Sequence, residues 1–199
     1  ALNVSPPLER EVVVASRTMT LAFEFAWWNT SLTRSRPKSG ADRGAIEKHD
    51  VRLVRVAKVV NDLLTKAHLV TLGEVTRSEF ERLRAWLGRS EHEWRHNDRR
   101  EMAFILDGTA ATLESSQHLE VRVGTRNFSS AWKHTLRLTT RRTWLDFYVV
   151  HWPSDLSKGA EEHRRSIGER FREQFDSSRL PSYSEDLADW HQVVLGDFN

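Results

Sequence analysis

Four short polar clusters each follow an apolar run in this chain: WWNTSL at Trp27–Leu32, LGEV at Leu72–Val75, VHWPSD at Val150–Asp155 and GDFN at Gly196–Asn199. Strand ends of one sheet converge in space, so Asn29, Glu74, His151, Asp197 and Asn199 can share one cleft although they are far apart in sequence. Glu and Asp oxygens suit a hard divalent cation, Mg2+ or Mn2+, which neutralises phosphate oxygens during a displacement. An Asp beside that cation can hold and deprotonate water, while His and Asn contact phosphoryl oxygens. Taken singly, each residue has a plainer role. A carboxylate at a strand end usually caps a loop or pairs with a cation, Asn29 suits a turn, and His151 suits a packed, hydrogen-bonded position. Recurrence at four strand exits favours the shared site.

The elements that must position these groups are legible in the periodicity. Leu21, Phe23, Phe25 and Trp27 alternate with Ala22, Glu24 and Ala26, which predicts a strand, and TSLTRSRPKSGADRG after Asn29 reads as a polar loop. Helical spacing from Ala45 to Ala67 feeds a buried strand over Leu69–Val75. Thr76 or Ser78 can cap a helix with Phe80, Leu83 and Leu87 on its apolar face and Gly88 at its end. Met102–Leu106, His118–Val123, Leu136–Thr139 and Thr143–His151 are strand-like and follow one another without helices, which predicts antiparallel pairing within a mixed sheet. A helix over Glu161–Phe175 and a strand over Gln192–Leu195 complete the reading, and residues 1–18, with Pro6 and Pro7, read as an extension before a single domain at 19–199.

Composition sets bounds. A chain of 199 residues with 39% hydrophobic side chains, including eight Trp and nine Phe, can bury a substantial core. Thirty basic against 28 acidic residues leave +2, so no overall field demands a polyanionic partner and local clustering matters more. The absence of cysteine excludes disulfides, thiolate metal sites and cysteine nucleophiles. No apolar run approaches the about 20 residues that span a membrane, and no leader pattern is present, so a soluble, cytoplasmic protein is the default expectation.

The order WNTSL, LGEV, HWPS and LGDFN resembles the endonuclease/exonuclease/phosphatase superfamily, the group of pancreatic deoxyribonuclease, abasic-site endonucleases, neutral sphingomyelinases and inositol-polyphosphate 5-phosphatases. The resemblance runs from about Thr20 to Asn199 and includes the RREMAFILD segment and the Arg-bearing helix after HWPS. It implies an α+β fold, a deoxyribonuclease I-like four-layer sandwich of two mixed, largely antiparallel sheets flanked by helices. By that resemblance Glu74 is the principal metal ligand with Asn29 beside it, and Asp197 positions or activates water. Asn199 orients that water and contacts phosphate, His151 contacts phosphate, and Ser154 has a structural part. The family continues with a further Asp and a Ser-Asp-His motif that do not occur after GDFN, so a C-terminal part of the fold is expected to be missing from this sequence.

Two other features bear on function. HEWRH at His92–His96 satisfies HExxH, a zinc-protease pattern, but its polar surroundings and lack of a third ligand predict a solvated loop or helix end. Basic residues Arg34, Arg36 and Lys38 leave the candidate site directly and are expected to meet substrate phosphates, while Arg122–Arg142 combines cations with Phe128 and Trp132 as nucleic-acid grooves do. The leading expectation is a Mg2+- or Mn2+-dependent phosphodiesterase cleaving DNA or RNA. The alternatives are a phospholipid or inositol-phosphate hydrolase on the same scaffold, or a non-catalytic nucleic-acid- or protein-binding derivative.

Overall fold

The computed structural model describes residues 23–123, 125–139, 143–151, 160–177 and 189–197; the expected extension over residues 1–18, Ser154 and Asn199 lie outside them. The first half of the chain builds β1 (Phe25–Asn29), a 3-10 turn (Leu32–Ser35), α1 (Arg43–Leu64), β2 (Leu69–Gly73), α2 (Arg77–Leu87), β3 (His92–Asn97) and β4 (Met102–Asp107). These strands form one sheet in the order β1-β2-β4-β3, parallel between β1 and β2 and antiparallel elsewhere. The second half builds β5 (Ala111–Val123), β6 (Arg126–Leu138), β7 (Thr143–His151), α3 (Ala160–Ser177) and β8 (Asp189–Asp197). Its sheet runs β5-β6-β7-β8, antiparallel until the parallel pair β7–β8.

Alternation along the strands fixes four layers. On one face of the first sheet Val70, Leu72, Ala103 and Ile105 meet the α1 stripe Leu53, Val56, Val60 and Leu64, together with Phe80 and Leu83 of α2. On the other face Leu69, Phe104 and Leu106 meet Trp132, Leu136, Phe147 and Val149 of the second sheet. Ile167 and Phe171 of α3 then cover Tyr148 and Val150 on the outer side. The helix boundaries have local causes. Asp42 caps α1 by accepting from the Ala45 amide at 2.8 Å, and Thr76 and Glu79 form a reciprocal capping box at α2. Among the described residues no helix is long and apolar enough to cross a membrane.

Two expectations need correction. HEWRH is neither a loop nor a helix end: it is β3, paired with β4, with Trp94 packed edge-on against Phe80 at 5.9 Å. On a strand the side chains alternate, so His92 and His96 face one way and Glu93 the other, and the zinc-protease geometry is lost. The β5–β6 hairpin is also much longer than His118–Val123 and Leu136–Thr139. Its stretch Glu114–His118 is exposed and polar, so it carries no apolar alternation and is held as strand by ladder pairing with β6.

Candidate active site

Each sheet contains one parallel pair, and a parallel pair brings both C-terminal ends to the same edge. In β1–β2, Asn29 lies opposite Gly73, which delivers Glu74 next; in β7–β8, His151 lies opposite Asp197. Stacking of the sheets joins the two edges. The Asn29 amide nitrogen donates to Glu74 Oε1 at 3.0 Å and to Asp197 Oδ2 at 3.2 Å, while its oxygen accepts from the Ser31 amide at 2.9 Å. That set of partners fixes the amide orientation, because the flipped form would set its oxygen against two carboxylates.

Glycine gives room at both strand exits and is required at the second. A Cβ at Gly73 would approach the Trp27 ring to 2.8 Å, and that ring stands 6.5 Å from the His151 imidazole. A Cβ at Gly196 would fall 1.8 Å from the Val150 carbonyl oxygen, and its φ of +139° disfavours any side chain. The Gly-Asp of GDFN is therefore what lets β8 lie close to β7 directly before Asp197.

The backbone around Glu74 is strained and tightly held. Among the described residues the non-glycine positions with positive φ are Ser31 (52°), Glu74 (60°) and Glu101 (49°), and all three border this site. Such conformations cost on the order of 1–2 kcal/mol each and cluster where function demands a particular direction. Thr30 Oγ1 donates to the carbonyls of Gly73 at 2.9 Å and Glu74 at 3.3 Å, the Val75 amide donates to Glu101 O at 2.8 Å, and His96 Nε2 lies 2.7 Å from Val75 O. The HEWRH histidine thus serves the turn that presents Glu74.

His151 Nδ1 is 3.4 Å from the Arg100 carbonyl, which can only accept, so in this contact the ring nitrogen is the donor. Sequence alone does not single out Arg100, although it stands in the RREMAFILD segment. Its guanidinium is partly buried and forms no ion pair among the described residues; burial lowers its pKa, and the Glu120 charge offsets part of that. Arg34 and Lys38 are exposed on the loop after Asn29. Arg36 has other company: its guanidinium bridges Glu101 (3.0 Å) and Glu79 (3.3 Å).

The donor set fits a hard cation. Two carboxylates meet on one amide, and the second oxygen of Glu74 accepts no hydrogen bond among the described residues. Among those residues no three His, Asp or Glu side chains converge as a closed cage. Mg2+ is commonly held in this open way, by one or two carboxylates with water and substrate phosphate completing its shell.

No protein-family model and no curated protein matches the chain. Solved structures do. TDP2 of D. rerio, complexed with a single strand DNA product, aligns at a TM-score of 0.59 and 14% identity over 89% of this chain and 60% of its own. An endonuclease/exonuclease/phosphatase family protein from Bacteroides thetaiotaomicron gives 0.58 and 11% over 89% and 63%. ANGEL2, a 2',3'-cyclic phosphatase in complex with adenosine-2',3'-vanadate, gives 0.61 and 15% over 89% and 53%. The chain therefore has the deoxyribonuclease I-like fold of the endonuclease/exonuclease/phosphatase structures. It spans between 53% and 63% of the length of these three.

Proposed function

We propose that the chain belongs to the endonuclease/exonuclease/phosphatase superfamily and forms part of a divalent-metal-dependent phosphodiester hydrolase acting on nucleic acid. The observation that carries this reading is the Asn29 amide clasping Glu74 and Asp197 where the two parallel pairs end. Glu74 supplies the ligand for Mg2+ or Mn2+, and Asn29 keeps the two carboxylates together, in addition to or in place of ligating the ion through its own oxygen. The ion, when bound, supplies charge neutralisation at the phosphate and a lowered pKa for water. Asp197 positions and deprotonates the attacking water, with Asn199 as its expected helper. His151 is the candidate contact to a phosphoryl oxygen, and Arg100, Arg34 and Lys38 are the candidate cations for substrate phosphates.

The nucleic-acid substrate is supported by TDP2, whose structure holds a single strand DNA product, and by the basic loop that leaves Asn29. A mannosyl-6-phosphatase from Bacteroides thetaiotaomicron shares the architecture at a TM-score of 0.57 and 12% identity, so a sugar phosphate belongs in the substrate panel. The full-length protein with Mg2+ or Mn2+ is expected to cleave single-stranded or duplex oligonucleotides, and Glu74→Ala and Asp197→Ala to abolish cleavage. Turnover of the sugar phosphate or of an inositol phosphate with intact oligonucleotide would replace the nuclease reading. Oligonucleotide binding without turnover, unaffected by both substitutions, would point to a binding module.

A further inference from the structure

Arg36 stands at the centre of a polar network that the catalytic reading leaves unused. Its Nη1 donates to Glu101 Oε1 at 3.0 Å, and its Nη2 and Nε donate to the two Glu79 oxygens at 3.3 and 3.4 Å. Glu79 is buried and carries more than one load: its Oε2 accepts from the Thr76 amide at 2.7 Å, and its Oε1 lies 3.1 Å from His49 Nε2. Burial would push the Glu79 carboxyl up, but the Thr76 groups and Arg36 outweigh it and hold it below the usual carboxylate range. His49 Nδ1 in turn meets Ser35 Oγ at 3.2 Å, on the same loop as Arg36.

These partners surround one short segment. The two peptide amides directly after Glu74 belong to Val75 and Thr76. The first donates to the backbone carbonyl of Glu101 and the second to the side chain of Glu79, and both of those residues are held by the Arg36 guanidinium. Glu74 and Glu101 are moreover two of the positive-φ residues of the region, so neither conformation is one the chain would keep without support. Beside the Asn29 and Thr30 hydrogen bonds to Glu74, the loop is thereby tied through Arg36 to the acceptors of the two amides that follow Glu74.

We propose that Arg36 is a positioning residue that fixes the Glu74 turn in its metal-binding conformation by fastening the acceptors of the Val75 and Thr76 amides. This rests on the metal-dependent reading of Glu74 above. A fork is required: one guanidinium reaches two carboxylates with three nitrogens, whereas the point charge of lysine serves one of them at a time. Loss of the fork frees the turn to leave its strained conformation, so metal affinity falls although no metal ligand has been touched.

The test compares Arg36→Gln, Arg36→Lys and Glu101→Gln with Glu74→Ala in the full-length protein. Two quantities are read: Mn2+ affinity by titration calorimetry, and amide hydrogen exchange at Val75 and Thr76 without metal. Arg36→Gln is expected to weaken Mn2+ binding roughly 10- to 100-fold, as loss of groups that orient ligands does, and to speed exchange at both amides. Arg36→Lys recovers part of each effect, and Glu101→Gln moves both in the same direction by less. Unchanged Mn2+ affinity and exchange in Arg36→Gln overturn the proposal. So does a raised KM for the oligonucleotide with Mn2+ affinity intact, which makes Arg36 a substrate contact. If Arg36→Gln does not fold, the partly exposed Glu101→Gln decides alone, and unaltered affinity there counts against the idea. Abolished Mn2+ binding in Glu74→Ala with normal binding in the Arg36 and Glu101 variants overturns only the positioning role. Normal binding in Glu74→Ala overturns the metal site itself.

Discussion

The Asn29 amide donates to Asp197 at 3.2 Å across 168 positions of sequence, and the same nitrogen donates to Glu74 at 3.0 Å. One neutral side chain thus holds together two carboxylates that would otherwise repel, in a place where each is only partly exposed.

Asn29→Asp removes both donations and adds a third negative charge. Cleavage of an oligonucleotide in Mg2+ is expected to fall by at least about 100-fold, the scale seen when one preorganised hydrogen-bond donor is lost from an active site. Circular dichroism should show the fold retained. Activity within a few-fold of the parent would deny the clasp its importance.

Gly196→Ala and Gly73→Ala should differ in severity. The first drives a methyl into the Val150 carbonyl, which is backbone and cannot give way, so β8 must leave β7 and both stability and activity should collapse. The second meets the rim of the Trp27 ring, which can tilt. Its midpoint of thermal unfolding should drop by a few degrees, with a larger relative loss of activity because Trp27 packs beside His151. Equal unfolding midpoints for the two variants would contradict this account.

His134 carries a pH dependence. It is buried between the sheets, stacked on Phe104 at 3.8 Å, with neither ring nitrogen hydrogen-bonded among the described residues, and burial pushes its pKa down to about 3. Above the unfolded value of about 6.5 both states are neutral and His134 adds no pH dependence. As the pH falls below that, the unfolded chain takes a proton that the folded one refuses, and stability declines down to about 3, where the folded state also protonates. Between pH 7.5 and 4.5 the parent should lose roughly 2–3 kcal/mol more than His134→Leu, measured by urea unfolding at each pH. Parallel losses in the two proteins would show that His134 is not the cause.

Lys133 and Asp146 form an ion pair at 2.8 Å under α3, where Asp146 also accepts from Thr135 at 2.6 Å and from Trp190 of β8 at 3.2 Å. Lys133→Met strands a carboxylate that is 1% exposed and should cost about 3–5 kcal/mol in urea unfolding, whereas the Lys133→Met/Asp146→Leu double variant should recover much of it. A single variant as stable as the parent would mean that the pair is dispensable.

Much of this architecture is legible in the amino-acid sequence. Apolar alternation announces β1, apolar runs announce β4 and β7, helical spacing announces α1 and α2, and Asn29, Glu74, His151 and Asp197 lie at or directly after strand ends. What periodicity does not disclose depends on partners distant in sequence. β3 is polar because one of its faces is served by Phe80 and by the Val75 carbonyl. The Glu114–His118 stretch of β5 is strand through pairing rather than burial. In the sequence Arg36 is one more cation after Asn29, and only the return of Glu79 and Glu101 to its side reveals a different engagement.

The division of the centre between two sheets also has a temporal meaning. Asn29 and Glu74 come from strands laid down early in the chain, and His151 and Asp197 from the last described pair, so their meeting is among the most non-local events in the fold. Contacts of such long sequence separation close slowly, after local hairpins and helices have formed. A chain in which β8 has not docked therefore lacks Asp197 beside Asn29, and on the hydrolase reading proposed above it is expected to be inactive.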